Sequence, residues 1–573
     1  MDFTKLFLLI NNIKLPVNAS ESEAFSVAKG VLKRAGLVNY AEEYSIFRRS
    51  VDARRKPEIF FVYSVAVSGR FPMIDEDKQR KLGISVQQPI SMPRAEIGEM
   101  PLSAPPVVVG SGPCGLFAAL MLAERGYNPI VLERGGSVKD RQAAVTRLEK
   151  EHILDTETNI QFGAGGAGTF SDGKLVTRIN DPFTSYVLDK FIEFGAPEEI
   201  RYIAKPHIGT DILSVIVERM LDRICMLGGR VLYHTKYLYP IEDNGSVREV
   251  MTNIGEIPCG ALILAVGHSA RDTYENMIKS DFHIEAKSFS VGMRVEHLAE
   301  DIDYAMYGSA ITNPRLGHAE YTLSCNTKTR GSYTFCMCPG GVIVAAASEE
   351  GGVVVNGMSY NSRSCVNSNS AVLTSVFRED YGGTPMGAIE FQRKIERAAY
   401  LSGGGGYSAP IITVGDFLGG TLKTEPKRIM PSYMSATNVK LASPDDYLPD
   451  FVCSGIRSAL VDFDRKIKGF ACSDAVLTGA ETRTSSPIRI LRDNDTRLAI
   501  GYKNIYPAGE GAGYAGGITS AAIDGVRTAL ALMKMFCTAV GGRRQGRWPQ
   551  WGRAVPLARL PLSRYLARPG AEV

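Results

Sequence analysis

The stretch Val107-Val-Val-Gly-Ser-Gly-Pro-Cys-Gly115 decides the fold. Its apolar start reads as a buried strand, and Gly115-Leu-Phe-Ala-Ala-Leu-Met-Leu-Ala-Glu-Arg-Gly126 reads as the helix that follows. Each glycine answers a steric demand. Gly110 makes the tight turn, Gly112 lets the backbone approach a pyrophosphate, and Gly115 lets helix pack closely on strand. Ser111, Pro113 and Cys114 complete a turn whose N–H groups, at the positive end of the helix, face phosphate oxygens. Ile130-Val-Leu-Glu133 reads as a second strand ending in an acid 18 residues past Gly115, placed to accept hydrogen bonds from an adenosine ribose. The pattern predicts an α/β unit with a parallel sheet, helices on both faces and an adenine dinucleotide at its edge.

Both FAD and NAD use this turn, so the remaining motifs decide between them. Arg134-Gly135 follows the acid and Arg141 comes six residues later, a pattern like the flavoprotein version, in which the basic group helps neutralise the pyrophosphate. Phe162-Gly-Ala-Gly-Gly-Ala-Gly-Thr-Phe-Ser-Asp-Gly-Lys174 is too glycine-rich for a helix or strand. Gly168, Thr169, Phe170, Ser171, Asp172 and Gly173 are its expected cofactor-facing part, running along the pyrophosphate and ribityl chain, and Phe162 and Phe170 argue against a floppy surface loop. In Ala261-Leu-Ile-Leu-Ala-Val-Gly-His-Ser-Ala270 a strand ends so that Ala265, Val266 and Gly267 pass the cofactor; His268 reads as a cofactor contact first and a catalytic group second. Tyr506-Pro-Ala-Gly-Glu-Gly-Ala-Gly-Tyr-Ala-Gly-Gly-Ile518 repeats the strand–turn–helix theme. Gly509 and Glu510 are expected at the ribityl hydroxyls. Gly516, Gly517 and Ile518 open a helix whose dipole favours negative charge on a reduced flavin. The two strand–turn–helix motifs lie nearly 400 residues apart, and FAD is long enough to need both.

Around these motifs the chain divides. Residues 1–96 read as a small ferredoxin-like α/β module, from the strand Leu6–Leu15, the helix Ser22–Ala35 stopped by Gly36, and the strong strand within Pro57–Gly69. A proline-rich linker, 89–106, leads into the first part of the FAD-binding domain, 97–275. There Asp211–Gly229 reads as a helix and Arg230–Glu242 as one strand. Residues 276–480 change to β-prone, glycine-rich pieces and then the helical Phe391–Gly406, which reads as an inserted α+β substrate domain. Residues 481–537 complete the cofactor domain, giving a split Rossmann-like unit. Residues 538–573, with both tryptophans, read as an appendage, disordered or arising from a frameshift, with a genuine basic tail as the alternative.

Bulk properties narrow the function. At 573 residues the chain needs two to four cores of about 100–200 residues each. The net charge of +4 owes +6 to seven arginines and one acid after Cys537, so the body sits near −2 and gives no footprint for nucleic acid. Ten cysteines include no CxxC pair and no zinc spacing, so no metal is expected and the cytoplasm, with reduced thiols, is the expected compartment. No run of about 18 apolar residues occurs, so no membrane span is expected.

The chain resembles the uncharacterised family of FAD-dependent dehydrogenases also labelled NAD(FAD)-utilising dehydrogenases, within the glutathione-reductase-like flavoproteins. The resemblance is carried by Gly110–Leu120, Gly163–Leu175, Ile263–Tyr274, Phe335–Gly341, Val355–Ser359, Glu481–Ile490 and Tyr506–Gly525, and by Arg48–Val65 in the first module. It implies a glutathione-reductase-type parallel sheet, non-covalent FAD and, by the family's label, dehydrogenase chemistry; it names neither the substrate nor an oligomeric state. The leading reading is a redox enzyme acting on a small molecule, its FAD taking a hydride from NADH, NADPH or the substrate itself. No second nucleotide-binding unit is evident, which argues against a disulfide-reductase architecture. Cys336 and Cys338 are the redox candidates, Tyr514 a candidate proton donor, and the Arg483-Thr-Ser-Ser486 loop a candidate flavin or substrate contact. Two other readings stand beside the oxidoreductase: an FAD-dependent RNA-modifying enzyme, against which the near-neutral body speaks, and a non-catalytic flavin-binding or electron-transfer protein.

Overall fold

The sequence Asp243-Asn244-Gly245-Ser246 sets the largest departure from expectation. Asn244 and Gly245 take φ of 52° and 75°, the pair of left-handed residues that a tight hairpin requires. The hairpin Tyr237–Asp243/Ser246–Thr252, extended by Gly255–Pro258, forms a three-stranded antiparallel sheet. It covers one face of the central sheet, where helices were expected; the short helix Arg271–Ile278 shares that face. The single strand read over Arg230–Glu242 is therefore two, Arg230–Leu232 in the central sheet and Tyr237–Asp243 in the hairpin. The computed structural model describes residues 6–87, 95–177, 181–327, 330–436 and 438–538. Apart from Thr538, the Arg/Trp-rich appendage lies outside the described residues.

The central sheet has five parallel strands in the order Ile505–Pro507, Ala261–Leu264, Pro106–Val109, Ile130–Leu132, Arg230–Leu232. All are short and, except at the Arg230 edge, fully buried, as strands covered on both faces must be. Alternate residues face opposite ways. Val108, Val131, Ile263 and Tyr506 meet the helices Pro113–Ala123, Thr210–Met226 and Ile518–Met535. Val107, Ile130, Leu262 and Leu264 meet Tyr237, Val247 and Val250 of the hairpin sheet and Tyr274 of the short helix. At about 1.5–3 kcal/mol for each fully buried aliphatic side chain, these two layers outweigh any local propensity.

Strands Phe289–Leu298 and Val476–Glu481 leave and re-enter this unit. Between them a seven-stranded sheet forms, ordered Ser324–Asn326, Gly331–Cys338, Asn367–Val376, Phe289–Leu298, Val476–Glu481, Ala409–Thr413, Val439–Leu441. Helices Pro385–Ser402 and Asp450–Lys466 belong to the same segment. At the N-terminal end, Leu6–Pro16, Ala41–Arg55, Glu58–Gly69 and Ile84–Gln87 form an antiparallel sheet in which the second strand pairs the third, the third the first, and the first the fourth. Helix Glu21–Ala35 starts at a Ser20/Glu23 capping box and stops at Gly36 with φ 71°. Its Ala24, Ala28, Val31 and Leu32 face the sheet at helical spacing, and their apolar cluster runs on into the seven-stranded sheet.

Candidate functional site

Four parallel strands end at one place. Val109, Leu132, Leu264 and Pro507 pass into Gly110, Glu133, Ala265 and Ala508, and a cavity of about 440 Å³ opens along these ends. Its opposite wall comes from the seven-stranded sheet and its return loop, with Thr334, Phe335, Cys336, Glu481, Arg483 and Thr484.

Of the first turn, Gly110, Ser111, Gly112, Pro113 and Cys114 line the cavity. Gly115 stands behind them, where a Cβ would lie 1.9 Å from the Gly110 carbonyl oxygen. It serves packing, as its place in the motif implies. Helices Pro113–Ala123 and Ile518–Met535 both begin at a glycine, Gly112 and Gly517, with no side-chain cap. Their first N–H groups are thus offered to the cavity. A Cβ on Gly516 or Gly517 would meet no protein atom within 4 Å, and both glycines line the cavity with Ile518.

Glu133 lines the cavity and also ties its walls together. Its Oε2 accepts from the Ser111 N–H at 3.1 Å and the Ser111 hydroxyl at 2.6 Å; its Oε1 accepts from the Gly135 and Gly163 N–H groups at 3.0 and 2.9 Å. Arg134 lines the cavity, but its guanidinium donates to Glu157 and Asp272 and lies 4.0 Å from the Phe162 ring centre. Gly135 sits outside, packed where a Cβ would come within 2.6 Å of the Glu157 carbonyl. Arg141, expected at the pyrophosphate, is fully buried behind the glycine loop instead. It donates to the carbonyls of Asn159, Ile160, Ala164 and Gly166 at 2.6–3.1 Å. Its charge neutralises the loop's own carbonyls rather than a ligand.

That loop brings Gly168, Ser171 and Asp172 to the cavity but turns Thr169, Phe170 and Gly173 away. Thr169 is buried, its carbonyl accepting from the Thr210 hydroxyl. The Phe170 ring centre lies 4.8 Å from the Arg141 guanidinium, and Gly173, with φ 66°, packs on Gly209. Asp172 is fully buried and forms two hydrogen bonds with Arg363. Lys174 at the motif's end lines the cavity too.

Ala265, Val266, Gly267 and His268 form the next stretch of wall. Burial, and the positive charges of Arg483 and Arg271, push His268 down to about 4, so it is a neutral imidazole at pH 7. Its Nδ1 lies 3.1 Å from the Ser269 hydroxyl. Gly509 and Glu510 line the cavity as well. The turn is anchored from behind by Asp524, which accepts from the Gly509 N–H at 2.7 Å and pairs with Arg492 and Arg497. Tyr514 lies outside the cavity; its hydroxyl accepts from the Arg492 N–H at 3.1 Å and its ring lies 3.7 Å from the Arg492 guanidinium. It therefore braces the Arg492 anchor rather than lining the cavity. Cys336 lines the cavity and Cys338 lies buried beside it.

Glu510 is pushed up from 4.5 to about 7 by burial, against the opposing charge of Lys287. Between these values the native ligand-free protein holds a proton that the unfolded chain has lost. Stability must therefore fall as pH rises from about 4.5 to 7, by at most about 3 kcal/mol from this group. Glu510→Gln is expected to match the wild type near pH 4 and to exceed it in melting temperature at pH 8. Parallel melting curves across that range would expose a mistake here.

Sequence reading missed a buried charge cluster beside His268. Glu396, 2% exposed, accepts at Oε1 from Arg271 (2.7 Å), Thr482 (2.5 Å) and Arg483 (3.3 Å), and at Oε2 from Arg271 (2.8 Å) and Arg483 (3.0 Å). It also missed Arg294 and Glu481, joined at 2.6 and 3.0 Å across neighbouring strands. Among the described residues no group of three or more His, Cys, Asp or Glu is arranged to hold a metal ion, and no helix is long and apolar enough to cross a membrane.

Residues 288–484 match the family described as FAD-dependent protein, C-terminal domain-like, and residues 8–68 match a domain of unknown function. An uncharacterized protein of Clostridium beijerinckii is 42% identical over 534 residues, spanning 92% of this chain and 98% of its own length. Two solved structures are similar at much lower identity. The L-amino acid deaminase of Proteus vulgaris is 12% identical over 78% of this chain and 97% of that one, with a TM-score of 0.31. A glycine oxidase of Bacillus cereus is 10% identical over 76% and 98%, with a TM-score of 0.30. By identity and coverage the chain belongs to the family of the Clostridium beijerinckii protein, it carries the FAD-dependent-protein C-terminal domain, and FAD is its cofactor.

Proposed function

We propose that the chain is an oxidoreductase that moves a hydride equivalent between a small-molecule substrate and FAD held along the ends of the parallel strands. The observation that carries this is convergence: two uncapped helix starts, from opposite ends of the chain, face one cavity together with the glycine loop and Glu133. The residues fit the cofactor. The adenosine ribose would be held at Glu133, whose carboxylate lines the cavity. The pyrophosphate would be held by the N–H groups of Gly112 and Cys114 and the facing Gly166–Gly168 loop, the ribityl chain at Gly509–Glu510, and the ring at Gly517–Ile518. In this reading 97–275 and 481–537 form one split Rossmann-like domain of the glutathione-reductase type. Residues 276–480 are the substrate domain and 1–96 a ferredoxin-like module, the last supported by its strand order.

Bound FAD supplies two-electron chemistry at its ring. The protein's part is position and electrostatics. The helix Ile518–Met535 directs its positive end at the ring, favouring negative charge there. The wall of Thr334, Phe335, Cys336, Arg483 and Thr484 lines the side from which a small-molecule substrate would approach. His268, neutral at pH 7, lines the cavity as a contact for the cofactor or substrate. NADH or NADPH is the proposed donor.

The test is anaerobic. The purified chain is expected to carry about one FAD and to lose its yellow flavin absorbance when NADH or NADPH is added. A colourless protein that takes up no added FAD would sink the reading. Retained FAD that neither nucleotide bleaches would sink only the donor.

A further inference from the structure

Strand Gly331–Cys338 pairs regularly with Asn367–Val376 until Phe335, then slips before Cys338. At the slip Cys336 takes φ 40°, a left-handed conformation that a side chain adopts only under strain. In an unbroken strand, residues two apart sit about 6.5–6.8 Å from each other, at the upper end of the ~4.4–6.8 Å that a disulfide spans. The slip interrupts the strand here: Cys336 lines the cavity wall, while Cys338 stays fully buried with its thiol donating to the Cys336 carbonyl at 3.3 Å.

Two cations are built around the pair. Arg294, fully buried, donates to the Cys336 carbonyl at 3.1 Å and lies 3.8 Å from the Cys338 sulfur, held there by Glu481. Lys174, from the glycine loop, reaches the carbonyl of Met337 between the two cysteines. The neighbouring Cys338 thiol, then the Arg294 and Lys174 charges, hold the Cys336 thiol below its ordinary range against its burial and the Glu481 charge. A pair of inert core thiols needs neither the slip nor the cations.

We propose that Cys336 and Cys338 are a redox pair that exchanges two electrons with the FAD held in this cavity, cycling between two thiols and one disulfide. The inference rests on the placement of FAD given above. Closing the pair breaks two S–H bonds and forms one S–S bond. Two electrons and one proton pass to the flavin ring, and the second proton leaves to water. Opening is the reverse. Cys336 is the member open to the cavity, and Cys338 the buried partner that completes the bond.

The experiment counts electrons and thiols in the full-length protein with FAD bound. Oxidised wild type is titrated with dithionite under argon, and each point is quenched with an alkylating agent for peptide mass analysis. Wild type is expected to take up about four electrons per FAD, against about two for Cys336→Ser and Cys338→Ser. The exposed-thiol control Cys225→Ser should keep about four. In oxidised wild type the peptide holding Cys336 and Cys338 should resist alkylation and be lighter by two hydrogens; after reduction it should take two labels. Two electrons per FAD in wild type, with both thiols labelled before any reductant is added, overturns the pair. Should the serine variants lose their flavin, the wild-type labelling decides alone. Retained FAD with a two-electron uptake overturns this inference and leaves the functional reading standing, whereas a wild type unable to hold FAD overturns both.

Discussion

Glu396→Gln is expected to destabilise the protein by about 3–5 kcal/mol, a large part of the 5–15 kcal/mol that holds a typical domain folded. The carboxylate is 2% exposed and accepts hydrogen bonds from two guanidiniums, of which Arg271 is 1% and Arg483 7% exposed. The amide keeps the shape but loses the charge, and it turns an NH₂ group toward a donor. Two buried cations then face each other with Glu349 as their remaining carboxylate. Glu390→Gln is the control, because that side chain is half exposed and pairs with Arg393 three residues on. Its loss should stay within about 0.5 kcal/mol. The melting temperature of Glu396→Gln should fall well below that of Glu390→Gln, and the variant should lose soluble yield. Equal melting temperatures would show the cluster to be far less buried or less coupled than the distances imply. A second consequence concerns His268. Burial first, and then the Arg483 and Arg271 charges, hold its imidazole neutral, so freeing either guanidinium from Glu396 changes the field at the cavity wall as well as the stability.

Most of the parallel sheet was legible in the sequence because its information is local. Val107–Gly115 carries a strand, a turn and a helix start in nine residues, and each glycine's role follows from its neighbours. The same holds for Tyr506–Ile518, and Asn244-Gly245 carried an equally local signal for the hairpin that covers the sheet's second face. What stayed hidden is long-range. Arg294 and Glu481 are 187 residues apart and meet because two strands lie side by side. Glu396 reaches Arg271 across 125 residues from a helix whose periodicity marked it only as one more charge. Arg141 shows the opposite error. Its spacing from the acid was read as a ligand contact, but a guanidinium with five donors satisfies a tight glycine loop as readily as a pyrophosphate, and only burial distinguishes the two uses. Tyr514 failed the same way, since proximity to a helix start in sequence says nothing about which side of the turn its ring takes.

The helices behind the two turns are locked together, and Gly525→Ala should separate them. A Cβ on Gly525 would stand 2.0 Å from the Cys114 carbonyl oxygen and 3.2 Å from the Ala118 N–H nitrogen. Both are helix backbone and have no rotamer by which to yield, so helix Ile518–Met535 must move off helix Pro113–Ala123. Overpacking of this kind costs about 1–3 kcal/mol in stability. The cost to FAD should be larger than that figure suggests, because the move pulls apart Gly112 and Gly517, the two helix starts that face one cavity. Each ~1.4 kcal/mol of lost positioning is a tenfold weaker Kd, and a loss of tenfold or more is expected. Gly30→Ala makes the comparison sharp. Gly30 lies inside helix Glu21–Ala35, its Cβ would meet nothing within 4 Å, and its φ is not left-handed. There the same change should raise stability by about 0.5–1 kcal/mol and leave FAD affinity untouched. Fluorescence titration of FAD into the two stripped variants separates the outcomes. If Gly525→Ala binds FAD as tightly as Gly30→Ala does, the two helix starts do not serve one ligand, and the convergence on which the cofactor's placement rests is a coincidence of packing.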